Sequence, residues 1–496
     1  MAIQREDYHK VLITKTTTVH PRAHPHEARV IQLSNLDRKC PLLMYLVFFY
    51  RSPPPHQRLS AGSLFSSLKM GLEDTLSAWY PAAGRLFLSP ANGKLDLVCT
   101  NSGALLVEAA TRLKISELGD LSQYNDFYEH LIFRPPLSSS FSDMPLVVAQ
   151  VTKFGCGGYA VGVGTNHSLF DGLANYNFMN AWASKTVGKE DEAVELVEPV
   201  HERGRLLVGR GQIDKNLSRP GGREKMTRVT AVDHLYLLIK QAVSMERMDP
   251  DGKKLQGDHK FSEVGSASHE QFVLRTFSLR SSMVGKLKSK ATRGWSGTSC
   301  SSFEVVAAHL WKRDLDPMAR MEEISGGMKK GKARTKALGI PKDRTVCLQF
   351  AVDTRTRMDP PLPKEFTGNA YVLSSISCTT GELERESLAI IIEKIKEAKQ
   401  AVTNDYVGAY LEALEAPQGV LPPLPELTMV SDWTRTPYHK VDFGLGDAVY
   451  VSPLASPFQQ VAYFMQSPID GGGIDVRIGL LQKHVPAFSH YFLGML

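Results

Sequence analysis

The chain has 496 residues, 43% of them hydrophobic and 22% charged, with a net charge of +6. That is a soluble globular composition, long enough for two to four domains or one large two-lobed enzyme. The positive charge is spread along the chain instead of gathered in a tail, which suits an anionic co-substrate better than nucleic acid.

Met1 to Lys10 is charged and lacks the apolar core of a secretory signal. The longest apolar run, Leu42 to Tyr50, is too short to cross a bilayer. Six widely spaced cysteines, none in a Cys-x2-Cys pair, predict buried free thiols in a reducing, cytoplasmic setting.

Val11 to Val19 reads as an edge-like strand, and His20, His24 and His26 follow in a proline-containing loop. Leu42 to Tyr50 reads as a strand buried on both faces, and Leu59 to Trp79 has helical periodicity. Arg85–Leu88 and Lys94–Val98 flank Asn92-Gly93, a hairpin signal. Leu146–Lys153 and Tyr159–Thr165 flank a second turn, Gly155-Cys-Gly-Gly158. This turn imitates a dinucleotide fingerprint, but it joins two strands instead of opening a helix.

The most informative stretch follows. Tyr159 to Gly164 alternates larger residues with alanine and glycine, as in a strand that something packs against closely. It leads into Asn166-His167-Ser-Leu-Phe-Asp171-Gly172, and then a helix with Leu173, Tyr176, Met179 and Trp182 at helical spacing. His167 thus stands where a buried strand hands over to a helix, with Gly172 permitting a sharp turn. By itself this pattern also fits a hydrogen-bonded core histidine or two metal ligands on one turn, but no third ligand stands at suitable spacing.

Residues 188–228 are polar and glycine-rich, an interdomain crossover. Val229–Met245 reads as a strand start or helix, and Asp249–Glu270 as a polar insert. Phe272–Leu279 reads as a strand and Ser302–Arg313 as a helix. Met328–Arg344 carries seven Lys or Arg against one Asp, either a solvated loop or a landing site for phosphates. Val346–Asp353 reads as a strand, Glu384–Asn404 as an amphipathic helix, and Leu421–Pro425 as a stiff loop. Met429–Trp433, Val449–Val451, Gln460–Met465 and Ile474–Leu480 read as late strands. Two groups of mixed strands and helices around a crossover predict an α/β, two-lobed protein, with lobes at 1–190 and 229–496 and a linker at 191–228.

His167-x3-Asp171-Gly172, followed by Asp442-Phe443-Gly444-Leu445-Gly446, resembles the two signatures of the plant BAHD family of acyl-CoA-dependent acyltransferases. Leu33-Ser-Asn-Leu-Asp37, Tyr80–Leu86, Ala308–Trp311, Val352–Arg357, Gly368-Asn369-Ala370 and Ser431-Asp-Trp433 fit the family's pattern in the same order. One position departs: the second signature's tryptophan is Leu445.

The resemblance implies a chloramphenicol-acetyltransferase-like fold, with mixed sheets flanked by helices and an active-site channel at the lobe interface. It implies acyl transfer, hydroxycinnamoyl by family habit, from coenzyme A to a hydroxyl or amine acceptor. His167 is expected as general base, without an acyl-enzyme. Asp171 is expected to pair with Arg355 from the other lobe instead of forming a catalytic dyad. Trp433 and Ser431 are the expected oxyanion donors, since an indole N–H only donates. Asp442, Gly444 and Gly446 hold a loop, and Ser302, Phe303 and Asn369 border the coenzyme A channel. Acyl-CoA is a co-substrate, with no permanently bound cofactor and no metal. A soluble monomer binding neither nucleic acid nor membrane is expected. The alternative is a non-catalytic member acting as an accessory protein, for which Leu445 is the only sign.

Overall fold

The structure is a computed structural model that describes residues 10–23, 29–39, 41–52, 61–136, 141–188, 198–207, 272–293, 299–312, 342–415, 427–454 and 461–494. The expectations for His24, His26, Cys40, the body of the crossover, residues 229–270, the Met328–Arg344 run up to 341 and Leu421–Pro425 lie outside the described residues. Among the described residues no helix is long and apolar enough to cross a membrane.

The chain divides into two compact units of mixed α/β structure. The first comprises Met1–Ser218, Asp353–Tyr371 and Thr436–Ala455; the second comprises the intervening stretches and the C-terminal residues. This differs from two contiguous lobes. Arg355, Asn369 and Asp442–Gly446 all belong to the unit that carries His167.

The first unit is built on a six-stranded sheet in the order Leu12–Val19, Ala104–Ala110, Val147–Lys153, Tyr159–Asn166, Leu43–Tyr50, Tyr450–Leu454. Only the Ala104–Ala110/Val147–Lys153 pair is parallel among the registers of this sheet. Leu12–Val19 is an edge strand, and Leu43–Tyr50 is central and apolar on both faces. The Arg85–Leu88 and Leu95–Cys99 strands form the expected hairpin, joined by Arg29–Ile31 in a small sheet.

Glycines in the Tyr159–Asn166 strand admit close neighbours. A Cβ on Gly162 would fall 2.1 Å from the Leu131 carbonyl oxygen, and one on Gly164 would fall 2.6 Å from the Tyr45 ring. The Gly155–Gly158 turn joins antiparallel strands, so it lacks the helix that a dinucleotide fingerprint needs.

The second unit's sheet runs Tyr371–Thr379, Thr345–Asp353, Leu427–Asp432, Val461–Gln466, Ile474–Leu481, Phe272–Leu279. The single amphipathic helix expected over Glu384–Asn404 is two. Thr380–Arg385 starts with a Thr379/Glu382 capping box, and Leu388–Gln400 starts at Ser387, whose side chain accepts the Ile390 N–H. Of the described cysteines Cys99, Cys300 and Cys347 are buried, Cys378 is half-buried, and Cys156 is exposed, contrary to expectation. Burial pushes the Cys347 thiol up to about 12.

Candidate active site

His167 follows the last residue of the Tyr159–Asn166 strand, and Asp171 caps the Gly172–Val187 helix. The turn between them is tied at every residue. Asn166 Oδ1 accepts the Ser168 N–H at 2.9 Å, and its carbonyl accepts the Leu169 N–H. The His167 N–H donates to the Leu42 carbonyl at 2.8 Å, and its own carbonyl accepts from Asn369 Nδ2 at 2.6 Å. With its backbone fixed on both sides, the imidazole can move only through its side-chain torsions.

The helix is held from below by aromatic packing. Phe170, Phe178 and Trp79 form a triangle of rings with centroids 5.1–5.6 Å apart. The buried stripe is Ala174, Asn175, Phe178, Met179, Trp182 and Ala183, so Leu173 and Tyr176 flank it instead of leading it. Gly172 has no left-handed backbone, and a Cβ there would meet nothing, so the turn does not depend on glycine. The cap supplies it instead: Asp171 Oδ1 accepts the Ala174 N–H at 2.9 Å.

Asp171 does not act on the imidazole as a dyad partner. Arg355 Nη1 lies 2.9 Å from Asp171 Oδ2, and Nη2 lies 3.0 Å from Oδ1, a bidentate pair. Both side chains are 6% exposed, so the pair is effectively out of water. Asp171 Oδ2 also accepts the Ala370 N–H, and Arg355 Nη2 also donates to the Phe366 and Gly368 carbonyls. Burial disfavours the Arg355 charge, but Asp171 and then Asp353 outweigh it and raise its pKa. The pair closes within one compact unit, not from one lobe to the other.

A second buried pair, not anticipated from the sequence, lies beside the first. Asp37 Oδ1 accepts both the backbone N–H and the Nδ2 of Asn369, at 2.9 and 2.8 Å. Its Oδ2 accepts from the Ser34 N–H and hydroxyl and from Arg203 Nε at 3.4 Å. Arg203 in turn reaches the Leu169 carbonyl and Thr367 Oγ1. Asn369 is fully buried, which is incompatible with bordering a coenzyme A channel; it braces the histidine turn instead. The Leu33–Asp37 motif carried a signal, since Ser34-x-x-Asp37 is a capping pattern, but nothing in it named a partner.

The His167 ring is half-buried and tilted against Tyr371, with centroids 6.0 Å apart. Nδ1 is enclosed, and among the described residues no group bonds Nε2. Burial pulls the imidazole pKa below its ordinary value; its own carbonyl, Asp171, Asn369 and Asp37 oppose this without reversing it. A neutral imidazole near neutral pH is the form that accepts a proton.

Asp442 organises the other signature. Its Oδ1 accepts the N–H groups of Gly444, Leu445 and Gly446 at 2.7–2.8 Å, while Gly444 and Gly446 take left-handed φ values of 86° and 82°. Phe443 packs on Trp182 with centroids 4.9 Å apart, and Leu445 is buried. The loop therefore forms with leucine at the departing position. Tyr438 joins it to the histidine helix by donating to the Gly172 carbonyl at 3.0 Å.

Ser431 and Trp433 lie in the second unit. Trp433 Nε1 donates to Ser431 Oγ at 2.9 Å, so the indole N–H is engaged by the serine. Ser302 opens the described helical residues 302–312, and Phe303 packs on Phe350 and Phe464 at 5.6 and 6.1 Å.

A family model described as the Transferase family matches residues 9–494. The chain belongs to this family, the BAHD acyltransferases. At that level its activity is acyl transfer from a coenzyme A thioester to a small-molecule acceptor. The chain is 45% identical to Brassinosteroid-related acyltransferase 1 of Arabidopsis thaliana, covering 98% of each chain. Among solved structures it resembles vinorine synthase, with a TM-score of 0.67 at 18% identity over 98% of each chain. It also resembles F. sporotrichioides TRI101 in complex with coenzyme A and T-2. That TM-score is 0.61 at 16% identity, over 93% of this chain and 96% of the other.

Proposed function

We propose that this BAHD acyltransferase moves an acyl group onto a hydroxyl acceptor with His167 as general base. The observation that carries this is the His167 turn: a neutral, half-buried imidazole whose backbone is fixed while Nε2 has no partner among the described residues. Nε2 takes the proton of the acceptor hydroxyl as its oxygen attacks the thioester carbonyl. The imidazolium then returns that proton to the departing coenzyme A sulfur. No nucleophilic side chain is needed, so no acyl-enzyme forms. A positioned base contributes about 10²–10⁴ in rate.

The name of the 45%-identical relative directs the choice of acceptors toward hydroxylated steroids of the brassinosteroid class. The test is acceptor-dependent coenzyme A release, followed with a thiol reagent. Wild type and His167→Ala are compared across aliphatic and hydroxycinnamoyl thioesters, with brassinosteroid, alkyl and phenolic alcohols and amines as acceptors. Release should require an acceptor and fall at least 10²-fold in the folded variant. Equal release by both proteins would remove His167 from the mechanism. Preference for amines would overturn the hydroxyl assignment.

A further inference from the structure

The Ser281–Thr292 helix of the second unit buries Val284, Leu287 and Ala291. Its exposed residues include Ser282, Lys286, Ser289 and Lys290, and Arg293 follows at its C-terminal end. These five recur every three or four positions, so they share one face. From Phe272 to Arg293 the chain carries six Lys or Arg and no Asp or Glu. The face is therefore cationic, with no acid on its own helix to balance it.

A large apolar side chain stands exposed at the start of this helix. Ile469 lies in the turn between the Val461–Gln466 and Ile474–Leu481 strands and is 92% exposed. Among the described residues the next most exposed large hydrophobic residues, Val30 and Leu88, reach 59%. The turn is closed on itself: the Gly473 N–H donates to the Asp470 carbonyl at 2.7 Å, and the Ser467 N–H donates to the Gly473 carbonyl at 3.1 Å. It is also packed on the helix. Asp470 Oδ2 accepts the Ser281 N–H at 2.6 Å, and a Cβ on Gly472 would fall 2.9 Å from the Ser281 Cβ. Ile469 is thus held next to the first turn of the cationic helix.

We propose that this corner, the Lys286, Lys290 and Arg293 face with Ile469 at its head, docks the protein on an anionic membrane surface. Charge complementarity is the argument. Lysine and arginine are drawn to the headgroups of an anionic leaflet, and an apolar side chain beside them enters the acyl boundary. A nucleic acid would use the cations but not the isoleucine, and the face has no aromatic ring for a base to stack on. This departs from the expectation of no membrane contact, since a surface contact needs no spanning segment. It goes beyond the catalytic reading and does not depend on His167. A steroid alcohol would be met where it partitions, at the bilayer.

The test is sedimentation of the full chain with vesicles of phosphatidylcholine alone and of phosphatidylcholine with phosphatidylserine. Binding should require phosphatidylserine and weaken as salt is raised. Other basic stretches of the chain also attract anions, so the decisive comparison is between variants. Lys286→Ser, Lys290→Ser and Arg293→Ser together should lower affinity for the anionic vesicles at least about tenfold, and Ile469→Ser at least about threefold. All four side chains are exposed, so both variants should keep the wild-type unfolding temperature. Wild-type vesicle affinity in either folded variant would overturn the proposal. A triple variant with normal vesicle binding and a raised KM for the thioester would assign the cations to coenzyme A instead. An Ile469→Ser protein unchanged on vesicles, beside a triple variant that loses binding to an RNA homopolymer, would assign them to nucleic acid.

Discussion

Two aspartates organise the two signature loops, and they do so by opposite means. Asp171 is 4% exposed and balances a full charge, Arg355, while capping a helix. Asp442 is half-buried and gathers three backbone N–H groups through one oxygen. Water can replace a lost acceptor at a half-buried loop; it cannot readily reach an arginine buried under a helix terminus. The difference shows that equal prominence in sequence does not mean equal energetic role.

Mutation should separate them. Asp171→Ala leaves the Arg355 charge buried without its partner and is expected to lower stability by about 3–5 kcal/mol, read by denaturant unfolding. Asp442→Ala is expected to cost about 1–3 kcal/mol, with early proteolytic cleavage near the loop as its local sign. Equal losses would break the distinction. The glycines sharpen it. Gly444→Ala forces a side chain into left-handed backbone and should cost about 1 kcal/mol or more. Gly172→Ala meets open space at ordinary backbone angles and should be neutral or stabilising by up to about 1 kcal/mol. Destabilisation by Gly172→Ala would mean that the histidine turn needs glycine after all.

The histidine turn was legible in the sequence for local reasons. Close packing on Gly162 and Gly164, a strand ending at Asn166 and a cap at Asp171 all lie within ten residues. The Asp171–Arg355 pair was reached only through resemblance, because 184 positions separate its members. Asp37, Arg203 and Asn369 were not joined at all: the 332 positions between Asp37 and Asn369 leave no periodic or spacing signal. Their contact exists only because a return segment, Asp353–Tyr371, packs into the first unit. The break at Ser387 does not interrupt the apolar periodicity; it is marked only by local caps, Ser387 and the Thr379-x-x-Glu382 box that starts an earlier helix.

The central claim is that a neutral His167 accepts the acceptor's proton. The most direct test is the pH dependence of kcat/KM with a saturating thioester. Burial lowers the imidazole pKa, so the active neutral form should persist to lower pH than for a free histidine. The acid limb should therefore have its midpoint below about 6.5, and that limb should disappear from the residual rate of His167→Ala. A limb at or above this value, or one that survives in the variant, would contradict the account.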